Sequence, residues 1–146
     1  MFAIRFLDHL VLRVVDADAM VRFYCDVLGC TLEKHQADIG LIQLRAGQAL
    51  IDLVPVDGEL GRAGGAPPGR EGRNVDHFCL RVEPFDPAAI RAHLAGFGVT
   101  AGEVARRYGA EGYGPSMYVT DPEGNTVELK GPASESSDGC GRANPI

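Results

Sequence analysis

The chain has 146 residues, of which 45% are hydrophobic and 23% charged, and its formal net charge is −6. These values predict a folded globular domain with a core of its own. They argue against a nucleic-acid partner, because phosphate binding needs a concentrated basic patch and the sequence has no run of Lys and Arg. Charged residues interrupt Met1–Val15 and no apolar stretch approaches ~20 residues, so we expect neither a signal peptide nor a membrane anchor.

The cysteine pattern indicates reduced thiols. Four cysteines occur, none in a Cys-x-x-Cys arrangement, and three of them lie within apolar segments. Free cysteine is among the most buried residue types, and structural disulfides are rare in reducing compartments. The sequence therefore predicts a cytoplasmic protein whose free thiols are Cys25, Cys30, Cys79 and Cys140.

A seven-residue segment near the amino terminus returns in the second half of the chain. Asp8-His9-Leu10-Val11-Leu12-Arg13-Val14 and Asp76-His77-Phe78-Cys79-Leu80-Arg81-Val82 are identical at five positions. Each copy is followed by an aspartate suited to begin a helix, Asp16 in the first half and Asp86, before Pro87, in the second. This internal repeat predicts two modules of the same fold.

Helix and strand patterns follow each copy in the same order. In the first half an apolar stripe with helical spacing ends at Gly29, and in the second a shorter stripe ends at Gly96 and Gly98. The stripes comprise Met20, Phe23, Tyr24, Val27 and Leu28, and then Ile90, Leu94 and Phe97. Extended, β-branched segments predict strands over about 31–34, 41–45 and 49–54, and over 99–105, 116–120 and 126–130. Each half is therefore predicted to be βαβββ.

These elements predict an α+β fold in which two βαβββ modules, related by pseudo-two-fold symmetry, form a half-open mixed β-sheet barrel around a metal site. One domain is expected over residues 1–130, with module 1 at about 6–56 and module 2 at about 75–130. The segment 57–74, rich in Gly, Pro and Arg, is expected to be a mobile linker that serves as a lid or as a plain connector. Residues 131–146 lack periodicity and are predicted to be a disordered tail.

Strand alternation places four polar side chains at equivalent positions inside apolar strands. His9 and His77 are repeat-equivalent, and Asp52 in the first module corresponds to Glu128 in the second. If both halves have the same strand order, all four side chains converge on the concave face. Burying unpaired carboxylates is costly, whereas a bound cation removes that cost. The sequence therefore predicts one divalent ion, Zn, Fe(II), Mn, Ni or Co, held by His9, His77 and Glu128, with Asp52 as a direct ligand or acting through water.

Two further features border this predicted site. In Arg106–Gly114 three glycines separate arginines and tyrosines, which favours a flexible loop that closes over substrate, with a plain hairpin as the alternative. Arg107 and Tyr113 are the residues expected at the substrate mouth. Arg13 and Arg81 flank the site and are expected either to meet an anionic substrate or to pair with Asp and Glu.

The chain resembles the vicinal oxygen chelate superfamily, which contains glyoxalase I, extradiol dioxygenases, and fosfomycin- and bleomycin-resistance proteins. The resemblance covers nearly all of residues 6–131. It rests on the two Asp-His repeats, on Phe23-Tyr24 followed by Val27-Leu28-Gly29, and on Asp121-Pro122-Glu123-Gly124-Asn125-Thr126-Val127-Glu128-Leu129. The resemblance implies metal binding by His9, His77 and Glu128. Glyoxalase I has a glutamate at the position of Asp52, so this chain departs from its pattern there.

The resemblance implies three alternative functions and a homodimer. The leading function is a divalent-metal-dependent, glyoxalase-like lyase or isomerase that chelates the oxygens of a small oxygenated substrate and stabilises an enolate or oxyanion, with Glu128 or Asp52 as the base. The second is an Fe(II) extradiol-type dioxygenase that uses two histidines and one carboxylate. The third is a metal-free drug- or metabolite-binding resistance protein. In the expected homodimer, His9 comes from one subunit, and His77 with Glu128 from the other.

Overall fold

Eight strands form two four-stranded sheets in the computed structural model, which describes residues 1–134. The first sheet comprises β1 (His9–Val14), β2 (Thr31–Gln36), β3 (Leu41–Ala46) and β4 (Ala49–Pro55), and the second comprises β5 (Phe78–Arg81), β6 (Ala105–Gly109), β7 (Gly112–Thr120) and β8 (Thr126–Lys130). Their orders, β1-β4-β3-β2 and β5-β8-β7-β6, repeat one topology with one parallel pair each. The prediction of an α+β fold from two βαβββ modules is confirmed, and within residues 1–134 the sheets form no closed barrel.

The helices begin at the aspartates that the sequence indicated. The Asp16 carboxylate accepts a hydrogen bond from Ala19 N at 2.9 Å, ahead of α1 (Ala17–Arg22), which continues as a π-helical turn over Phe23–Val27. Asp86 likewise accepts from the first turn of α3 (Pro87–Gly96). A four-residue helix, α2 (Glu59–Arg62), lies between the modules. No helix within residues 1–134 is long and apolar enough to cross a membrane.

The segment predicted as a mobile linker, residues 57–74, is anchored to β1. The Arg13 guanidinium donates to the carbonyl oxygens of Gly61 at 3.0 Å, Gly65 at 2.9 Å and Ala66 at 2.8 Å. Asn74 accepts from Arg13 N at 3.1 Å and donates to Arg13 O at 2.8 Å. Arg13 therefore binds main-chain oxygens, and it pairs with no Asp or Glu side chain of residues 1–134.

A buried clasp joins the two modules. The Tyr24 hydroxyl, at the π-helical turn of module 1, donates to Asp121 Oδ2 at 2.8 Å in the turn before β8. Asn125 Nδ2 donates to the same oxygen at 2.8 Å. From that turn the Glu123 carboxylate accepts from Val15 N and Asp16 N, just ahead of α1. The turn that leads into Glu128 is thus held against the start of the first helix, and both modules share one core.

The second module differs from the predicted strand boundaries. Residues 99–104 are not a strand, because only Gly102 N reaches a neighbouring strand, donating to Tyr118 O at 2.8 Å. The glycine-rich segment 106–114 belongs to the β6–β7 hairpin, so of the two alternatives that the sequence left open the hairpin is observed and the flexible loop is not. The rings of Tyr108 and Tyr113, paired across the hairpin at 5.0 Å, stabilise it. Of the predicted disordered tail, residues 135–146 lie outside the described residues, whereas Ser134 N donates to Tyr113 O.

Candidate functional site

Both predicted histidine ligands are oriented by the aspartate that precedes them. His9 Nδ1 lies 2.8 Å from Asp8 Oδ1, and His77 Nδ1 lies 2.6 Å from Asp76 Oδ1. A carboxylate accepts from the protonated ring nitrogen, which fixes the tautomer and leaves Nε2 with its lone pair for another partner. The two side chains are 49% and 38% exposed, so both nitrogens are reachable. This is the arrangement that metal-binding histidines commonly show.

The two predicted carboxylates occupy equivalent buried positions. Asp52 lies opposite Val11 of β1 in the sheet register, and Glu128 lies opposite Cys79 of β5. The residues are only 4% and 6% exposed. Within residues 1–134, Asp52 Oδ1 and Glu128 Oε1 have no hydrogen-bond partner, although both are buried. A buried anionic oxygen without a donor is costly, so each carboxylate is suited to a cation.

Each histidine lies near the carboxylate of its own module. His77 Nε2 is 3.6 Å from Glu128 Oε2. In the first module the hydrogen bond to Asp8 is the main cause that raises the pKa of His9 above 6.5, partial burial opposes it, and the charge of Asp52 adds to it. We refer to His9 with Asp52 as the first half-site and to His77 with Glu128 as the second half-site.

The two half-sites do not converge within one chain. No three His, Cys, Asp or Glu side chains of residues 1–134 lie close enough together to hold one metal ion. The expectation that all four predicted ligands converge inside a single chain is therefore not met among these residues. Assembly of the half-sites across a dimer stays a prediction.

The two residues expected at the substrate mouth lie on opposite faces of the second sheet. Arg107 pairs with Gly114 and shares the face of Glu128, whereas Tyr113 pairs with Tyr108 on the other face. The Arg107 guanidinium lies 4.4 Å from the centre of the Tyr118 ring, on the Glu128 side. Tyr113 instead contacts Arg106, whose guanidinium carbon is 4.6 Å from its ring centre. Only Arg107 of this pair borders the second half-site.

Two further polar residues lie beside the carboxylates, and one of them, Gln43, was missed from the sequence. Gln43 lies opposite Asp52, and its Nε2 donates to Asp52 Oδ2 at 3.1 Å. Tyr118 lies opposite Glu128, with its ring centre 5.6 Å from that of His77. The two occupy corresponding places in the two modules, so aligning β3 with β7 across the repeat would have found Gln43.

The residues fit a divalent cation. Two imidazole nitrogens and two carboxylates, with two buried oxygens lacking donors, form a ligand set for a borderline or hard divalent ion. Most of the chain also matches a known protein family. Residues 6–129 match the model of the Glyoxalase/Bleomycin resistance protein/Dioxygenase superfamily. The chain belongs to this superfamily.

Relatives within the superfamily share most of their length with the chain. It is 29% identical over 128 residues to a virulence protein of Salmonella typhimurium, covering 84% of this chain and 81% of the relative. It is 28% identical over 130 residues to a probable lactoylglutathione lyase of Synechocystis, covering 85% and 93%. Among solved structures, an integron cassette protein from the mobile metagenome of V. cholerae has a TM-score of 0.71 at 30% identity, covering 90% of this chain and 98% of that chain. The resemblance inferred from the sequence motifs is confirmed.

Proposed function

We propose that the chain is a divalent-metal-dependent enzyme of the glyoxalase-like type, a lyase or isomerase, that acts as a homodimer. The observation that carries the proposal is the pair of equivalent half-sites, each with an oriented histidine and a buried carboxylate oxygen that lacks a donor. A protein metal centre needs three or four ligands, whereas each half-site offers two. Joining the first half-site of one protomer to the second half-site of its partner supplies four.

The residues of the site divide into positioning and proton-moving groups. When bound, a divalent ion supplies Lewis-acid stabilisation of negative charge on adjacent substrate oxygens. Asp8 and Asp76 orient the two imidazoles, and Gln43 holds one oxygen of Asp52. The unpartnered Oε1 of Glu128 is suited to take a proton from a substrate carbon, as a general base does.

Exposed apolar side chains also favour the association of the chain with a second copy of itself. In the amino-terminal segment Phe2 is 90% exposed and Ile4 88%, and Leu7 is also exposed. Contiguous exposed apolar surface commonly marks an interface. A two-fold dimer would create two identical metal sites, because an isologous interface places each half-site against its complement.

Metal binding tests the proposal before any substrate is known. The EDTA-treated protein, titrated with Zn, Ni, Co or Mn, should bind one ion per protomer. His77→Ala and Glu128→Gln should each lower the affinity by about 10–100-fold or more, because each removes one of four ligands, and Asp52→Asn should cost less if Asp52 acts through water. His35→Ala is the matched control, since His35 lies on the exposed edge strand β2.

Mixing two inactive variants tests the shared site. His9→Ala and Glu128→Gln each damage both sites of their own dimer. After denaturation and joint refolding, about half of the dimers contain one copy of each, and every such dimer regains one intact site, so about a quarter of the wild-type metal capacity should return. A site within one chain would regain none. Failure of the wild-type protein to bind any divalent ion would leave a metal-free binding protein as the function.

A dioxygenase is the second candidate, favoured by one observation. Tyr118 lies on the same face as Glu128 and beside His77, where a phenol can donate a proton to a reacting oxygen. Screening metal-loaded protein with methylglyoxal and glutathione, and Fe(II)-loaded protein with catechols under oxygen, separates the candidates. Oxygen uptake that is lost in Tyr118→Phe would favour the dioxygenase over the isomerase.

A further inference from the structure

Lys130 is a buried cation that the metal half-sites do not use. It is the last residue of β8, two positions after Glu128, so both side chains lie on the same face of the strand. Lys130 is 5% exposed, and its Nζ has no hydrogen-bond acceptor among residues 1–134. Burial of an ammonium group without a partner is unfavourable, because its hydration is lost and nothing replaces it. The position therefore needs an acceptor from outside these residues.

Two glycines leave the space that the Lys130 side chain fills. A Cβ atom at Gly109 would lie 2.6 Å from Lys130 Cε, and one at Gly114 would lie 2.8 Å from Nζ. Both glycines belong to the β6–β7 hairpin. Since the aliphatic stem fills the space that two side chains would occupy, the ammonium group is fixed in position before any ligand arrives. Preorganisation of this kind lowers the entropic cost of binding.

Arg107 supplies a second cation beside it. Its register partner on β7 is Gly114, the residue over which Lys130 Nζ lies. Arg107 Nη1 donates to Ser116 Oγ at 2.9 Å and to Ser116 O at 3.1 Å, and the guanidinium stacks on Tyr118, which contacts His77. Lys130 is the register partner of Ser116. The two cations therefore flank Ser116 on the face that carries the second half-site.

Neither cation has a carboxylate partner among the residues that the structure describes. Among residues 1–134, no carboxylate lies within 4.0 Å of Lys130 Nζ or of the Arg107 guanidinium. The neighbouring Arg81, by contrast, pairs with Glu111 at 2.6 Å and Glu83 at 3.2 Å. A cation without a carboxylate partner is ordinary at a protein surface, but Lys130 is buried, so its ammonium group calls for an anion from outside residues 1–134.

We propose that Lys130 and Arg107 form a subsite for an anionic oxygen group, a carboxylate or a phosphate, carried by the substrate. The position of this subsite beside Glu128 rests on the proposed function, since that assigns the second half-site to substrate oxygens. The substrate is then a small oxygenated molecule with an acidic substituent. A guanidinium fork and an ammonium point charge bind both planar carboxylates and tetrahedral phosphates.

Anion titration of EDTA-treated protein tests the subsite without using metal or turnover. Inorganic phosphate and acetate, each added at constant ionic strength against chloride, are followed by calorimetry and by the melting temperature. At least one of them should bind saturably, and Lys130→Met should weaken that binding tenfold or more. Without added anion, Lys130→Met should melt at or above the wild-type temperature, because the variant removes an unpaired buried charge. Lys34→Met, which changes the only other lysine, exposed on β2, should keep wild-type affinity.

Gly109→Ala provides a second variant that keeps every charge. The new Cβ would displace the Lys130 side chain and would not meet any backbone atom, so the affinity for the anion should fall. The double variant Lys130→Met with Gly109→Ala should have the same anion affinity as Lys130→Met alone, because both changes act on the same side chain. Equal anion affinity in the wild type and Lys130→Met would overturn the subsite, as would the absence of binding by either anion. Weakened self-association in Lys130→Met, without an anion effect, would make Lys130 a contact to a second copy instead. If the wild-type protein binds an anion but no metal, the proposed function is refuted and the subsite is not. If it binds metal but neither anion, the subsite is refuted and the proposed function is not.

Discussion

The clasp between Tyr24 and Asp121 should contribute measurably to stability. Tyr24→Phe removes one hydroxyl, which is fully buried and donates to Asp121 Oδ2 at 2.8 Å. Burial, followed by the charge of Asp121, raises the pKa of Tyr24, so the phenol is protonated and remains a donor at neutral pH. A hydrogen bond to a charged group is worth about 1.5–3 kcal/mol. Because Asn125 still donates to the same oxygen, we expect the lower half of that range.

Equilibrium denaturation and thermal melting measure this effect. A loss of about 1.5–2 kcal/mol corresponds to a fall of about 3–8 °C in the melting temperature of a chain of this size. Tyr108→Phe is the matched control, because Tyr108 is 73% exposed and should change stability by less than about 0.5 kcal/mol. If the Tyr24→Phe protein is as stable as Tyr108→Phe, the hydrogen bond between Tyr24 and Asp121 does not stabilise the fold. If the clasp also positions the turn before Glu128, Tyr24→Phe should weaken metal binding modestly.

Two further predictions concern packing and pH. Gly61→Ala should lower the free energy of unfolding by about 1–3 kcal/mol, because the new Cβ would overlap the carbonyl oxygen of Pro55. Chemical denaturation measures this loss, and Gly69→Ala, which adds a Cβ in open space, is the control that should leave the free energy of unfolding unchanged. Burial, and then the neighbouring Cys25, raises the pKa of Cys30 from 9.0 to about 11. The unfolded state therefore loses the Cys30 proton first, so the free energy of unfolding should fall as pH rises from 9 toward 11, and denaturation curves of Cys30→Ala should show a smaller fall between pH 9 and 10. An unchanged pH profile in Cys30→Ala would contradict this assignment.

The modular organisation and the candidate ligands could be read from local patterns in the sequence. The repeated Asp-His segments predicted two equivalent modules, and alternation along the strands identified His9, Asp52, His77 and Glu128 as equivalent pairs. The equivalence of these positions is seen in the two sheets, and it was readable because residues two apart in a strand share a face whatever the strand pairs with. The helix starts at Asp16 and Asp86 were readable for the same reason, since capping involves only neighbouring residues.

Which side chains meet depends on contacts between segments that are distant in the sequence. Glycines in residues 106–114 favoured a loop, but pairing with β7 made this segment a hairpin, and its register separated Arg107 from Tyr113. The burial of Lys130 depends on Gly109 and Gly114 in other strands. The separation of the two half-sites depends on how the modules dock, which the Tyr24–Asp121 clasp helps to set across 97 residues of sequence. Register and docking arise from contacts between distant segments, and a local pattern carries no information about them.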